Sequence, residues 1–376
     1  MEAIEAKATM LEQRRMKLRP YLYGAAAMTL FTGAHVAAYA GDVRANQEIQ
    51  ATSTASVRVL DGALDEVHNN NAIVFIDGFG TNNADILTKY MGRAVQPVID
   101  GQLWSVDYNN AALSYDDIAE SVIDTAGRRG VTSISFVGYS AGCPVSMQTN
   151  EKVAELSNLT VESIFMVSCP DGAQGLRQAR QDEIDLAERF KWIPGAQYST
   201  PIRFMGELAM RSGSFTHGED MYDNVQNFSE TATRVKEAFD NNKLPGTWLM
   251  FDQLFAIENA NINDRISNIA KQPDTDVRPT IVYVGTAKPG YDYMVDDKYS
   301  SDNIGKYTDA ADIPYFIENV PGAVHTRIDL ANDEYILTLE GAKVGIQNSI
   351  ATQTAIANAN KQLKRYEHNL GSDSNR

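Results

Sequence analysis

Val131–Met147 reads VTSISFVGYSAGCPVSM, and this stretch decides how the rest of the chain is read. It opens with a β-favouring run (Ile134, Phe136, Val137), passes through Gly138-Tyr139-Ser140-Ala141-Gly142, and then turns helical in pattern. Gly-x-Ser-x-Gly between a strand and a helix is the nucleophile-elbow pattern. A serine on so tight a turn has a strained backbone, and side chains two residues to either side would collide, so both places require glycine. The turn lifts the Ser140 hydroxyl above the sheet and puts the Ala141 amide at a helix N-terminus, where free N–H groups favour negative charge. With glycine near 7% of residues, such a pentapeptide arises by chance in about one chain in ten of this length, so the flanks must decide.

Outward from the elbow the chain alternates strand and helix. Ala72–Ile76 (AIVFI) is a continuous apolar run suited to a strand buried on both faces, and it ends at Asp77-Gly78-Phe79-Gly80. Residues 82–91 read as a helix, Leu103–Val106 as a short strand, and Ser114 caps a helix running to about Gly127. Before these, Ser56–Leu60 is a strand candidate ahead of an Asp61-Gly62 turn. After the elbow helix, Val161–Val167 is a strand leading into Ser168-Cys169-Pro170-Asp171-Gly172. Residues 173–272 offer no convincing strand and are rich in aromatics and methionines, so they are expected to form a helical insertion. Thr280–Val284 resumes the rhythm, Tyr315–Val320 is the last expected strand, Asp333–Leu363 a long closing helix, and 371–376 a polar tail. Such alternation predicts an α/β fold with a mostly parallel central sheet and helices on both faces.

The chain has 376 residues, 43% of them hydrophobic, enough for one large α/β unit with a substantial core. Its formal charge of −16 argues against nucleic acid or an anionic membrane as the main partner. The two cysteines, Cys143 and Cys169, make neither a disulfide framework nor a metal-ligand spacing, and are read as one bridge in an exported protein or as two buried thiols. No metal or cofactor is expected. At the N-terminus a basic stretch (Lys7, Arg14, Arg15, Lys17, Arg19) precedes an uncharged run, Tyr21–Ala40, ending Ala38-Tyr39-Ala40. Residues 1–40 therefore read as a secretory signal cleaved after Ala40, with an uncleaved membrane anchor as the alternative. Export follows from the first, and membrane contact arises only through this segment.

A serine nucleophile needs a base to take its proton. Among five histidines, His35 falls in the N-terminal segment, His68 precedes the first buried strand, His217 sits in the insertion, and His368 is in the tail. Only His325, in Pro321-Gly322-Ala323-Val324-His325, stands on a loop after a late strand, where catalytic groups gather in such sheets.

These residues together resemble the α/β-hydrolase family, of the serine esterase or lipase type, over roughly residues 72–363. The resemblance is carried by Gly138–Gly142 after a strand, Asp77–Gly80 after the earlier strand, Pro321–His325, and Phe251–Ile257 ahead of Pro279–Gly285. It implies a core of residues 41–172 and 273–370 interrupted by a helical cap at 173–272. It also implies that the Phe79 amide joins that of Ala141 in an oxyanion hole, although Asp77 stands where many members carry histidine. The acid that orients His325 is implied just after the Thr280–Val284 strand; there Asp292 is the first aspartate, with Asp296 and Asp297 behind it and Asp171, after the elbow's neighbouring strand, as the alternative acid. The expected chemistry is cleavage of a small or lipid-like carboxylic ester through an acyl-enzyme on Ser140. Peptidase, thioesterase or acyltransferase activity, or a hydrolase-like binding protein without catalysis, are the alternatives.

Overall fold

The structure, a computed structural model, describes residues 54–108, 112–190, 226–234, 247–273, 276–286, 292–325 and 328–373, with isolated residues 37, 41, 204 and 208. The expected signal segment with its cleavage point and His217 lie outside the described residues. Among the described residues no helix is long and apolar enough to cross a membrane.

Among the described residues seven strands make one sheet: β1 (Ser56–Asp61), β2 (Asn71–Ile76), β3 (Gln102–Asp107), β4 (Ser133–Tyr139), β5 (Thr160–Val167), β6 (Thr280–Thr286) and β7 (Tyr315–Val320). Their spatial order is β1-β3-β2-β4-β5-β6-β7. β1 runs antiparallel to β3, and every other neighbouring pair is parallel. From β2 the chain steps outward to β3, then crosses back to β4 on the other side of β2. The carboxyl ends of β2 and β4 thus flank the point where strand order reverses, which is where a crevice opens in a sheet of this kind.

Helices cover both faces. One face packs α2 (Tyr115–Arg129), α3 (Gly142–Leu156), α6 (Ile262–Ala270) and α7 (Asp297–Ala310); the other packs α1 (Asp85–Val95) and α8 (Asn332–Asp373). Alternation along each strand divides the core accordingly. Val74, Ile76, Phe136 and Tyr283 belong to the first cluster, while Ile73, Phe75, Val137 and Val284 belong to the second. Strands buried on both sides read as unbroken apolar runs, which is why β2 and β6 are visible in the sequence.

Local chemistry sets the helix ends. Ser114 accepts a hydrogen bond from the Asp117 amide at the start of α2, and Gly130 ends it in the left-handed conformation at φ 68°. α1 starts three residues later than the pattern predicts because Asn82 and Asn83 are drawn into the sheet: the Tyr108 amide donates to the Asn82 carbonyl, and Asn83 bridges Asp107. α7 escapes the sequence reading because it is polar along most of its length; it is fixed by Asp296, whose carboxylate caps the Tyr299 amide.

The described parts of 173–272 are helices and turns, apart from a bridge between Leu176 and Val295. They include α4 (Gln178–Phe190) and α5 (Thr247–Glu258). α6 packs into the sheet's own core through Ile262, Ile266 and Ile269. Cys143 and Cys169 are both free thiols, buried beneath the elbow.

Candidate active site

The elbow is built by exclusion. Ser140 adopts φ 51°, a left-handed conformation that costs a side-chain-bearing residue of order 1–2 kcal/mol. A Cβ on Gly142 would lie 2.1 Å from the Ile76 carbonyl oxygen, and one on Gly138 would lie 2.6 Å from the Ser146 hydroxyl. Both glycines are therefore steric requirements. The turn is tied to the sheet by the Ser140 amide, which donates to the Val167 carbonyl at 2.9 Å, and closed by the Cys143 amide, which donates to the Ser140 carbonyl at 3.0 Å.

His325, 185 residues further on, brings Nε2 to 3.0 Å from Ser140 Oγ. Its Nδ1 lies 2.7 Å from Asp292 Oδ2. Asp292 is held in turn: its Oδ1 accepts the amides of Met294 at 2.8 Å and Val295 at 2.9 Å. With Nδ1 donating to a carboxylate, Nε2 is left as the acceptor that faces the serine hydroxyl. All three side chains are buried, Asp292 at 1% exposure and His325 at 2%. The Tyr139 ring lies 5.2 Å from the imidazole, tilted by 31°, and Tyr293 approaches its edge.

The other candidate acids are engaged elsewhere. Asp171 accepts from the Tyr307 hydroxyl at 3.0 Å, and burial raises its pKa. Asp296 pairs with Arg177 at 2.8 Å. Asp297 is buried against the Tyr283 hydroxyl at 2.8 Å and the Thr286 amide at 2.9 Å; burial, and then the Asp292 charge, hold its pKa up. Among the other histidines, His68 faces Asp100 at the surface.

The loop after β2 lies against the elbow because Gly78 lets it. A Cβ there would sit 2.8 Å from the Tyr139 carbonyl oxygen and 3.0 Å from Ser140 Cβ. Phe79 follows at once and lines the cavity beside Ser140. Asp77, on the other side of Gly78, is buried, and its Oδ1 accepts from the Gly78 amide at 2.6 Å. Burial pushes its carboxyl up to about 7, against the opposing pull of the Gly78 amide and of His325.

Two braces were not visible in the sequence. Gln253, fully buried on α5, donates to the Thr81 carbonyl and accepts from the Gly80 amide, each at 2.9 Å. Arg177 donates to the Asp292 carbonyl at 3.2 Å, and its own amide donates to the Met294 carbonyl at 2.9 Å. Gln253 acts across 172 and 173 residues of chain, with no local signal to betray it. The turn at Asp292 does have one, an aspartate whose carboxylate caps the amides two and three residues later.

Above these groups is a cavity of about 200 Å³ lined by Asp77, Phe79, Ser140, Met294, His325 and Ile328, among others, with mostly apolar walls. A buried hydroxyl thus faces an imidazole beside an apolar hollow.

No family model matches the chain, and no curated protein matches its sequence. Solved structures overlap it in part. A carboxyl esterase from Bacillus coagulans shares 11% identity at a TM-score of 0.46, over 78% of this chain and 99% of that one. A structure from a study of carboxylesterases of Nitrososphaera gargenis shares 10% at 0.45, over 79% and 97%. An esterase from Exiguobacterium antarcticum shares 11% at 0.43, over 77% and 95%.

Proposed function

We propose that this chain is a serine hydrolase of the α/β-hydrolase type that cleaves carboxylic esters through an acyl-enzyme on Ser140. The observation that carries this reading is the continuous relay from Asp292 through His325 to Ser140, at 2.7 and 3.0 Å. In the first half-reaction the Ser140 Oγ–acyl bond forms while its proton passes to His325 Nε2. Asp292 stabilises the imidazolium, and the amides of Phe79 and Ala141 receive the charge developing on the carbonyl oxygen. The tetrahedral intermediate then expels the alcohol, which takes the proton from His325. Water attacks the acyl-enzyme by the same steps in reverse, giving acid and free serine. Acyl transfer by this relay draws on no cofactor. The apolar cavity beside Ser140 supports an acyl or lipid-like chain as the group received.

A fluorophosphonate probe tests this directly. Wild-type protein is expected to be labelled and to turn over chromogenic esters, and Ser140→Ala to do neither. Unlabelled wild-type protein would exclude a live nucleophile, while labelling with peptide, thioester or transacylation turnover in place of ester hydrolysis would move the substrate class. We also infer export, from the basic, apolar and Ala38-Tyr39-Ala40 segments. N-terminal sequencing of the exported protein should begin at Gly41, and retention of the intact chain in the membrane fraction would support the anchor instead.

A further inference from the structure

We propose that Asp77 is a specificity-determining residue, selecting substrates that present a hydrogen-bond donor or a positive charge close to the scissile carbonyl and disfavouring anionic ones. This rests on Ser140 being the nucleophile. Asp77 ends the loopward side of β2, is only 9% exposed, and lines the same cavity as Ser140 and His325. A carboxylate has about four acceptor positions. Among the described residues this one receives a single hydrogen bond, from the Gly78 amide to Oδ1, so Oδ2 is left without a donor.

The described residues around it supply no second donor. Phe79, Leu87, Met294 and Ile328 make the nearby walls apolar. Around the cavity the titratable groups are Asp329 and His325 from the loop after β7 and Tyr139 from the elbow, and behind it Tyr108 gives its hydroxyl to the Asp77 backbone carbonyl. His325 is committed to Ser140 and Asp292. No lysine or arginine lines the cavity among the described residues. Burial therefore opposes ionisation of Asp77, which the raised carboxyl pKa reflects. A hydroxyl, amide N–H or ammonium on the substrate would complete the carboxylate's bonding and stabilise its charge in a low-dielectric hollow. A substrate carboxylate would meet two acids there.

The test is a matched series of fluorophosphonates with equal chain length and a terminal methyl, ammonium or carboxylate. Each forms the Ser140 Oγ–P bond as P–F breaks, fluoride leaving and the Oγ proton passing to His325. Second-order labelling rates at pH 8 are expected to fall in the order ammonium, methyl, carboxylate. A tenfold gap between the first two corresponds to about 1.4 kcal/mol. In Asp77→Asn, and in Asp77→Ser as a second variant, that gap should shrink to about twofold or less. An unchanged gap in both variants, or no gap in wild type, would overturn the assignment of Asp77 while leaving Ser140 in place. Wild-type protein that takes no probe would overturn the nucleophile and this proposal with it.

Discussion

Gly142 shows how little room a single residue leaves. With the Ile76 carbonyl 2.1 Å from where a Cβ would be, Gly142→Ala must push β2 and the elbow apart. A loss of more than about 3 kcal/mol is expected, read from urea denaturation. Asp292 and Asp171 separate function from position in the same way. Asp292→Asn removes the carboxylate that sets the His325 tautomer, so turnover should fall by about 10²–10⁴-fold, whereas Asp171→Asn, remote from His325 and bonded to Tyr307, should leave turnover within about threefold of wild type. Steady-state rates for the two variants decide between them. Asp77 adds a pH dependence to stability. Its carboxyl rises from the ordinary 3.8 to about 7 in the folded chain, so between those values the native state holds a proton that the unfolded chain has lost, and stability falls as pH rises through that window. Asp77→Asn mimics the protonated form. It should gain on the order of 2 kcal/mol over wild type above pH 7 and nothing below about pH 4, measured as the difference in Tm between the two proteins across that range.

At the level of elements, two described parts of residues 173–272 grip the site. The first holds the acid loop through Arg177 and the bridge from Leu176 to Val295, and the second, helix α5, holds the loop after β2 through Gln253. Gln253→Leu keeps the volume and removes both hydrogen bonds, leaving the Gly80 amide and Thr81 carbonyl without them. In the proposed mechanism the neighbouring Phe79 amide then loses a support for its role as an oxyanion donor. A drop in kcat of about tenfold with little change in KM is expected, because a loosened oxyanion donor weakens the transition state more than the ground state. A KM effect alone would mean that Gln253 shapes the pocket and does not hold the oxyanion loop.

Across the whole molecule, the sheet separates two cores that touch only through it. Ile266 on α6 packs on one face and Leu339 on α8 on the other, and both are fully buried. Ile266→Val should cost about 1 kcal/mol and Leu339→Ala about 2–5 kcal/mol, and the double variant should be additive within about 0.5 kcal/mol. Chemical denaturation of the three variants tests whether the layers respond independently.

The chain's local patterns determined a great deal alone. β2 and β6 are legible as apolar runs because strands covered on both faces need no alternation, and the elbow is legible because its glycines flank the serine at a fixed spacing between a strand and a helix. His325 could be singled out by its place after the last strand. Other features depended on contacts between remote segments, which no local pattern encodes. α7 is nearly all polar and is held by its cap and by what packs on it, Asn82 and Asn83 are claimed by β3, and Gln253 reaches its partners across the insertion. Which aspartate meets His325 was likewise open in the sequence, where Asp171 follows the strand beside the elbow and Asp292 the strand after that. Tertiary structure decided it by direction: Asp171 turns to Tyr307, while the amides of Met294 and Val295 turn Asp292 towards the imidazole.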